Sequence, residues 1–360
     1  MFSIIFIEPQ VDYIIVGQGL AGSALAIRLL ERGRRVSVFD EPIKNNCSRV
    51  AAGLFNPITG MGIVKTWLAE EVFASLHAFY TDCEKQFGQR FFFPSLLYRP
   101  FHSAEEQNNW MVKSAENGVS TFVEKIYTES GFGNEVNDPF GGILLNTCGY
   151  LDTVSFLAST RKFLISHNSW SDSYFAVEDV ELSRESVSYR GVTARKIIFC
   201  QGIEANPFFD WLNIRPLKGE TVTLNLDFEP TVIFNKGVYI VPSNGNSTYK
   251  AGATYELKNL SHEVTEKARI ELLEKLTGLL KSPFSVVAQE WGIRPTTIDR
   301  RPIIGSHPLY KNLVIFNGLG TKGVSLAPYF SAHIAHWLEG KAEIMKEVNI
   351  TRFNALYSKS

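Results

Sequence analysis

Hydrophobic positions along the chain follow two periods, and the elements can be read from them. Residues 13–16 form a short, β-branched apolar run, as a strand buried on both faces requires. Residues 20–30 are rich in Ala and Leu and predict a helix that Gly33 can end. Residues 36–39 return to a strand pattern. Between 65 and 87, Leu68, Val72, Leu76, Phe79, Cys83 and Phe87 recur at helical spacing, with Gly88 as the stop. The block Phe91-Phe92-Phe93 reads as core packing. Asp152 can cap a helix over 153–165. Short strands are expected at 186–189 and 196–200, and strands of a second sheet at 221–226, 238–241 and 248–251. Residues 262–280 predict an amphipathic, charge-laced helix. A strand at 313–316, a glycine turn and a helix from about 328 to 338 close the pattern, with Gly340 beyond the helix end.

The first strand–helix–strand unit carries Gly17-Gln18-Gly19-Leu20-Ala21-Gly22 at its turn and Asp40 at the end of its second strand. Each glycine has a physical task. Gly17 makes the tight turn, Gly19 lets backbone approach a pyrophosphate, and Gly22 lets the helix pack on the sheet. The helix N-terminus, starting at Leu20 and Ala21, offers N–H groups and a partial positive charge to phosphates. Asp40, with Glu41 beside it, stands where a carboxylate receives ribose hydroxyls, which favours FAD or NAD over NADP. The alternative is a glycine-rich turn without a ligand. The in-register strand, helix, second strand and acid argue against it.

Composition narrows the class. A chain of 360 residues can bury a large core and form two domains. It is 45% hydrophobic and 20% charged, as a globular protein is. Its net charge of −1 supplies no global basic field to recruit nucleic acid. Cys47, Cys83, Cys148 and Cys200 are scattered, so no metal spacing is present and free thiols in a reducing compartment are expected. The apolar start, residues 1–7, lacks a basic flank and reads as an edge segment rather than a signal peptide. No stretch reaches membrane-spanning length, and a cytoplasmic location is expected. No linker separates the halves, which suggests interleaved domains.

Further motifs, in order, resemble the D-amino-acid-oxidase/glycine-oxidase superfamily of FAD-dependent amine oxidoreductases. Ser48-Arg49-Val50-Ala51-Ala52-Gly53-Leu54 is similar to the family segment beside the flavin. Gly149-Tyr150-Leu151-Asp152, Ile197 to Gly202, and Lys218-Gly219-Glu220 follow. Tyr239-Ile240-Val241-Pro242 and Gly252-Ala253-Thr254 resemble the substrate-sheet strands. Gly292-Ile293-Arg294-Pro295-Thr296, with Asp299, Pro302 and Gly305, resembles the return to the flavin. Gly318-Leu319-Gly320-Thr321-Lys322-Gly323-Val324, running to Pro328, resembles the closing turn. The stretch 60–67 has no counterpart in glycine oxidase.

The resemblance implies an α/β fold. A Rossmann-like FAD domain of discontinuous segments (1–60, 145–205, 290–360) would join a mixed-sheet α+β substrate domain (61–144, 206–289). It implies hydride transfer from an amine α-carbon to flavin N5, with the substrate a small amino acid or secondary amine. The cofactor contacts it implies are Gly17, Gly19, Leu20, Ala21, Gly22, Asp40, Glu41, Ser48, Arg49, Ala51, Ala52, Gly53, Gly202, Gly318, Gly320, Thr321, Lys322, Gly323 and Val324. No cysteine lies near the closing segments, so the FAD is expected to be non-covalent.

Arg294 sits where the family places the guanidinium that forks a substrate carboxylate, a geometry lysine does not supply. Its alternative is an interdomain ion pair. Tyr239 resembles a site-lining glycine-oxidase position, against an ordinary half-buried strand tyrosine. Tyr255 is a candidate for the wall or lid. Lys322 could stabilise reduced flavin or attract an anionic substrate, against a solvated loop lysine. His333 and His336 read as fillers rather than ligands.

The segments 53–57 and 318–328 are also similar to the flavin domain of the bacterial tRNA wobble-uridine maturation enzyme, which oxidatively removes a carboxymethyl group from a modified base. That domain is ordinarily fused to a methyltransferase domain. A tRNA substrate is therefore the second reading, disfavoured by the near-neutral charge unless a basic rim is present. An aromatic hydroxylase would need a late Gly-Asp dipeptide, which the sequence lacks. A flavin-binding protein without turnover is the remaining alternative.

Overall fold

The computed structural model describes residues 10–41, 46–60, 64–116, 118–243 and 247–357. The apolar start, 1–7, lies outside them. Two compact units form from interleaved segments. Met1–Asn46, Leu157–Pro216 and Arg294–Ser360 make the first, and Cys47–Phe156 and Leu217–Ile293 make the second.

In the first unit β1 (Val11–Val16) lies between β2 (Val36–Asp40) and β3 (Val192–Phe199), all parallel. β4 (Leu313–Asn317) extends the parallel set beyond β3, and Trp170–Asp172 extends it beyond β2. Ile303–Ser306 pairs antiparallel with β4, and Val187–Tyr189 pairs antiparallel with the start of β3. Ile14 and Ile15 are both fully buried, so β1 is covered on both faces. Ile14, Val16, Ile197, Phe199, Leu313 and Ile315 share one core. Burying each such side chain contributes roughly 1.5–3 kcal/mol.

Helix α1 (Leu20–Glu31) and helix α2 (Gly323–Leu338) pack against each other. Helix α2 starts at Gly323, five residues before the expected start near 328. Pro328 therefore lies inside it and forgoes one intrahelical bond. Buried Val324, Leu326, Ala327, Phe330 and Ile334 hold the helix in spite of that loss.

The second unit is built on a mixed nine-stranded sheet. The pairs are antiparallel along Thr248–Gly252, Tyr239–Ser243 and Ile233–Asn235. Ile233–Asn235 then joins Phe92–Pro100 in parallel. Leu54–Phe55 pairs antiparallel with Gly142–Leu151. That pairing explains why 47–60 and 145–156, grouped from sequence with the dinucleotide segments, lie in this unit. The long strands Phe92–Pro100, Gly142–Leu151 and Phe284–Thr296 escaped the sequence reading, because their apolar positions do not alternate cleanly.

Two helices start later than their periodicity suggests. The helix expected from 65 is Ala69–Phe87, because Val64–Lys65 pairs with Ile58–Thr59 and Leu68 takes a left-handed φ of 54°. Its buried face is the expected one, Val72, Leu76, Phe79 and Cys83, and Gly88 caps it at φ 64°. Phe91 and Phe92 are buried against Phe156, Tyr80 and Phe55. The helix expected from 262 is Glu266–Leu279, started by Thr265, whose hydroxyl accepts the Ala268 N–H at 3.2 Å.

A buried ion pair positions that start. Lys218 Nζ lies 3.3 Å from Glu220 Oε1, and both side chains are nearly inaccessible to solvent. Glu220 accepts the Thr265 N–H and hydroxyl at 2.9 and 2.8 Å, and Gln289 Nε2 at 2.8 Å. Lys218 donates to Glu263 O at 2.6 Å and Ser261 Oγ at 3.2 Å. Lys218→Met leaves a buried carboxylate uncompensated. It should lower the unfolding free energy by about 3–5 kcal/mol in urea melts, and Lys218→Met with Glu220→Leu should recover most of that loss.

Candidate dinucleotide and anion site

The carboxyl ends of three parallel strands meet at one turn. Val16 stands in register with Phe39 and with Phe199. Gly17 N donates to Phe39 O, and Cys200 N donates to Val16 O, both at 2.8 Å. Gly17 has φ +96°, and a Cβ there would lie 2.7 Å from the Cys200 carbonyl oxygen. A Cβ at Gly22 would lie 1.9 Å from Gly17 O, so the first turn of α1 is pressed onto the strand end. Ser23 N donates to Gly19 O at 2.9 Å, the first bond of the helix. Gly19 supplies no side-chain cap, and the first turn of α1 carries no acidic residue. That end of the helix thus suits an anion.

A cleft opens at these strand ends, lined among others by Gly17, Gly19, Asp40, Glu41, Cys200 and Gly202. It brings together five of the residues named from sequence. This is the crevice where parallel α/β sheets take ligands. The Cys200 thiol is fully buried there, and burial pushes its pKa up, so it stays protonated. The glycine cradle, the uncapped helix end and the Asp40 carboxylate fit a dinucleotide with a free ribose hydroxyl.

The second glycine turn is tied to the first region by Asn317, which the sequence reading missed. Its amide donates to Gly202 O at 2.7 Å, and its carbonyl oxygen accepts the Gly318 N–H at 2.8 Å. The turn continues through one 3-10 turn, Gly320–Lys322, into α2, which includes Gly323 and Val324. A Cβ at Gly323 would sit 3.1 Å from Leu20 Cδ1, so the N-termini of α1 and α2 lie side by side. Thr321 is exposed in this turn. Gln18 is buried and donates to Leu157 O at 2.9 Å and Ser23 Oγ at 3.1 Å, bracing the first turn from behind.

Arg294 lies near the end of the strand Phe284–Thr296, half-buried. A Cβ at Gly320 would come within 3.5 Å of Thr296 Cγ2 and 3.9 Å of Pro295 O, so the closing turn packs on the residues that follow Arg294. Burial, and then the neighbouring Arg300, hold the Lys322 ammonium below the ordinary lysine range.

The remaining candidates belong to the second unit. Ser48 and Arg49 sit in a four-residue helix, Cys47–Val50, followed by Ala51, Ala52 and Gly53. Gly53 O accepts the Leu151 N–H at 3.1 Å. Lys250, another residue missed from sequence, donates to Val50 O at 3.0 Å and pairs with Glu290 at 2.8 Å, anchoring this segment to the sheet. A lysine inside an otherwise apolar strand was the available signal. Tyr239 pairs across the sheet with Gly252, where a Cβ would lie 3.0 Å from the phenol oxygen. The missing side chain makes room for that ring. Tyr255 is 68% exposed. His333 Nε2 accepts the Met345 N–H at 3.0 Å. Among the described residues no cluster of His, Cys, Asp or Glu could hold a metal, and no helix is long and apolar enough to cross a membrane.

Comparison with known proteins gives these features a context. The family model for FAD dependent oxidoreductases, DAO, matches residues 12–337. The tRNA 5-methylaminomethyl-2-thiouridine biosynthesis bifunctional protein of Legionella pneumophila is 22% identical over a 386-residue alignment. That alignment covers 94% of this chain and 54% of the relative, so the chain spans about half the relative's length. Glycine oxidase of Geobacillus kaustophilus is 30% identical over 138 residues, 36% of each protein. The crystal structure of glycine oxidase from Bacillus cereus shares the fold, with a TM-score of 0.77 at 21% identity over 93% of this chain and 96% of that one.

The cradle makes a direct prediction. Gly22→Ala should yield protein that retains no dinucleotide through purification. Asp40→Ala should weaken dinucleotide affinity by about 10- to 100-fold, the loss of one hydrogen bond to a charged group, as read by fluorescence titration.

Proposed function

The chain belongs to the DAO family of FAD-dependent oxidoreductases, and on that premise we propose that it oxidises the C–N bond of a carboxylated small amino acid or secondary amine. The observation that carries this reading is the placement of Arg294 and Lys322 on two segments in contact, Gly320 packing on Pro295 and Thr296. Two cations on touching segments suit a carboxylate. Bound FAD supplies the acceptor for the hydride that leaves the amine α-carbon.

The chain's own residues do the rest. Gly17, Gly19, Leu20, Ala21 and Gly22 receive the pyrophosphate, and Asp40 and Glu41 receive ribose hydroxyls. For the flavin half, the first unit offers Gly202, Gly318, Gly320, Thr321, Gly323 and Val324, and the second offers Ser48, Arg49, Ala51, Ala52 and Gly53. In the first unit Arg294 forks the substrate carboxylate and Lys322 adds charge; in the second, Tyr239 offers a phenolic hydrogen-bond donor. Tyr255, exposed, serves as the outer wall. No side chain needs to act as base if the amine arrives neutral. The four cysteines are free, and burial holds Cys148 and Cys200 protonated, which suits a non-covalent cofactor and a cytoplasmic setting.

A second reading is supported by the alignment to the Legionella pneumophila protein over 94% of this chain. In it the carboxylated amine is the carboxymethylaminomethyl group of a modified wobble uridine in tRNA.

Anaerobic bleaching at about 450 nm, where oxidised flavin absorbs, tests both readings. Bleaching by glycine, N-methylglycine or related amino acids supports the first. Bleaching by undermodified tRNA alone moves the function to RNA. Arg294→Lys should raise KM for the carboxylated substrate by about 10- to 100-fold, one charge-assisted bond, with a smaller change in kcat.

Lys322 sets the pH dependence. Burial, and then Arg300, lower its folded pKa, so its charge is lost at a lower pH than that of an ordinary lysine, about 10.4. KM should therefore rise on the alkaline side before that value, and Lys322→Arg should abolish the rise.

A further inference from the structure

The strand Trp170–Asp172 runs beside β2 and brings Asp172 into register with Asp40. Two residues further on, one phenol ties the chain down. The Tyr189 hydroxyl donates to Tyr174 O at 3.3 Å and accepts the Ala176 N–H at 3.1 Å. Between those two bonds Phe175 turns into the core. Its ring is buried, stacked on Tyr189 at 3.9 Å and set edge-on to Phe39 and Phe199. Tyr174 faces the other way. It is 60% exposed and lines the same cleft as Gly17, Gly19 and Asp40, all within the first unit.

The cleft has a direction. A pyrophosphate belongs at the start of α1 and ribose hydroxyls at Asp40, so the base of the nucleotide lies beyond Asp40. Tyr174, Val177 and Ala205 stand at that end, and they also line a neighbouring hollow with Val180, Pro207 and Phe208. The end is therefore apolar and carries one exposed aromatic ring. The backbone under that ring is already immobilised by the Tyr189 phenol and by the buried Phe175, so little further ordering is needed when a flat partner arrives.

We propose that the Tyr174 ring is the platform on which the adenine base of FAD stacks. The proposal rests on the assignment of the cleft to FAD and adds the side chain that holds the base. FMN, which lacks the base, gains nothing from this ring.

Fluorescence titration of the full chain with FAD and with FMN tests the platform without turnover. FAD affinity should fall by about 5- to 150-fold in Tyr174→Ala, the value of one base–aromatic stack. Tyr174→Phe keeps the ring and should stay within about twofold of wild type, and Tyr174→Trp should bind at least as tightly. FMN affinity should be the same in all four proteins. The melting temperature of the FAD-free protein should not change in Tyr174→Ala, because the ring it removes is exposed. Wild-type FAD affinity in Tyr174→Ala, or an equal loss for FMN and FAD, overturns the platform and leaves the assignment of the cleft standing. A wild-type chain that takes up no FAD overturns that assignment and the platform together.

Discussion

The backbone clamp on Gly17 is the constraint on which the first unit's chemistry depends. Its N–H is held by the Phe39 carbonyl on one side, while the Val16 carbonyl receives the Cys200 N–H on the other. The chain must therefore turn at the point where three parallel strands end together. Only a residue without Cβ fits against the Cys200 carbonyl, and only another lets α1 start on top of the turn. The start of α2 beside Leu20, and Asn317 bridging Gly202 to Gly318, follow from that placement. A helix end launched anywhere else would not open onto the cleft beside Asp40.

Buried charge is used differently in the second unit. Lys218 and Glu220 stand two residues apart on one strand, so their side chains share a face. Together they hold Ser261, Glu263, Thr265 and Gln289, and thus the entry to the helix Glu266–Leu279. Lys250 holds Val50 and Glu290 in the same way. In the Lys218–Glu220 pair each charge taken out of water is bonded on every side, which makes the loop geometry specific even where the net stabilisation is small.

Some elements were legible because local rules decide them. The strand, glycine turn, helix, strand and Asp40 follow from short spacings, and the helix face Val72, Leu76, Phe79 and Cys83 follows from period alone. Helix starts were less legible, because competing contacts decide them: a β-pair at Val64–Lys65, a hydroxyl cap at Thr265, and a 3-10 turn running into Gly323. The strands Phe92–Pro100 and Gly142–Leu151 gain their stability from each other across a long sequence gap, which no single window shows.

The sequence alone determined the dinucleotide turn, the helix faces and the order of motifs, since these depend on residues a few positions apart. Tertiary structure alone decided which unit holds the Ser48–Gly53 segment, because Leu54–Phe55 pairs with a strand about ninety residues away in the chain, a pairing whose loop-closure cost grows only slowly with length. It also decided that Asn317 serves two turns at once. Hydrogen bonds and charges act through space, and spacing along the chain does not encode the distances on which they depend.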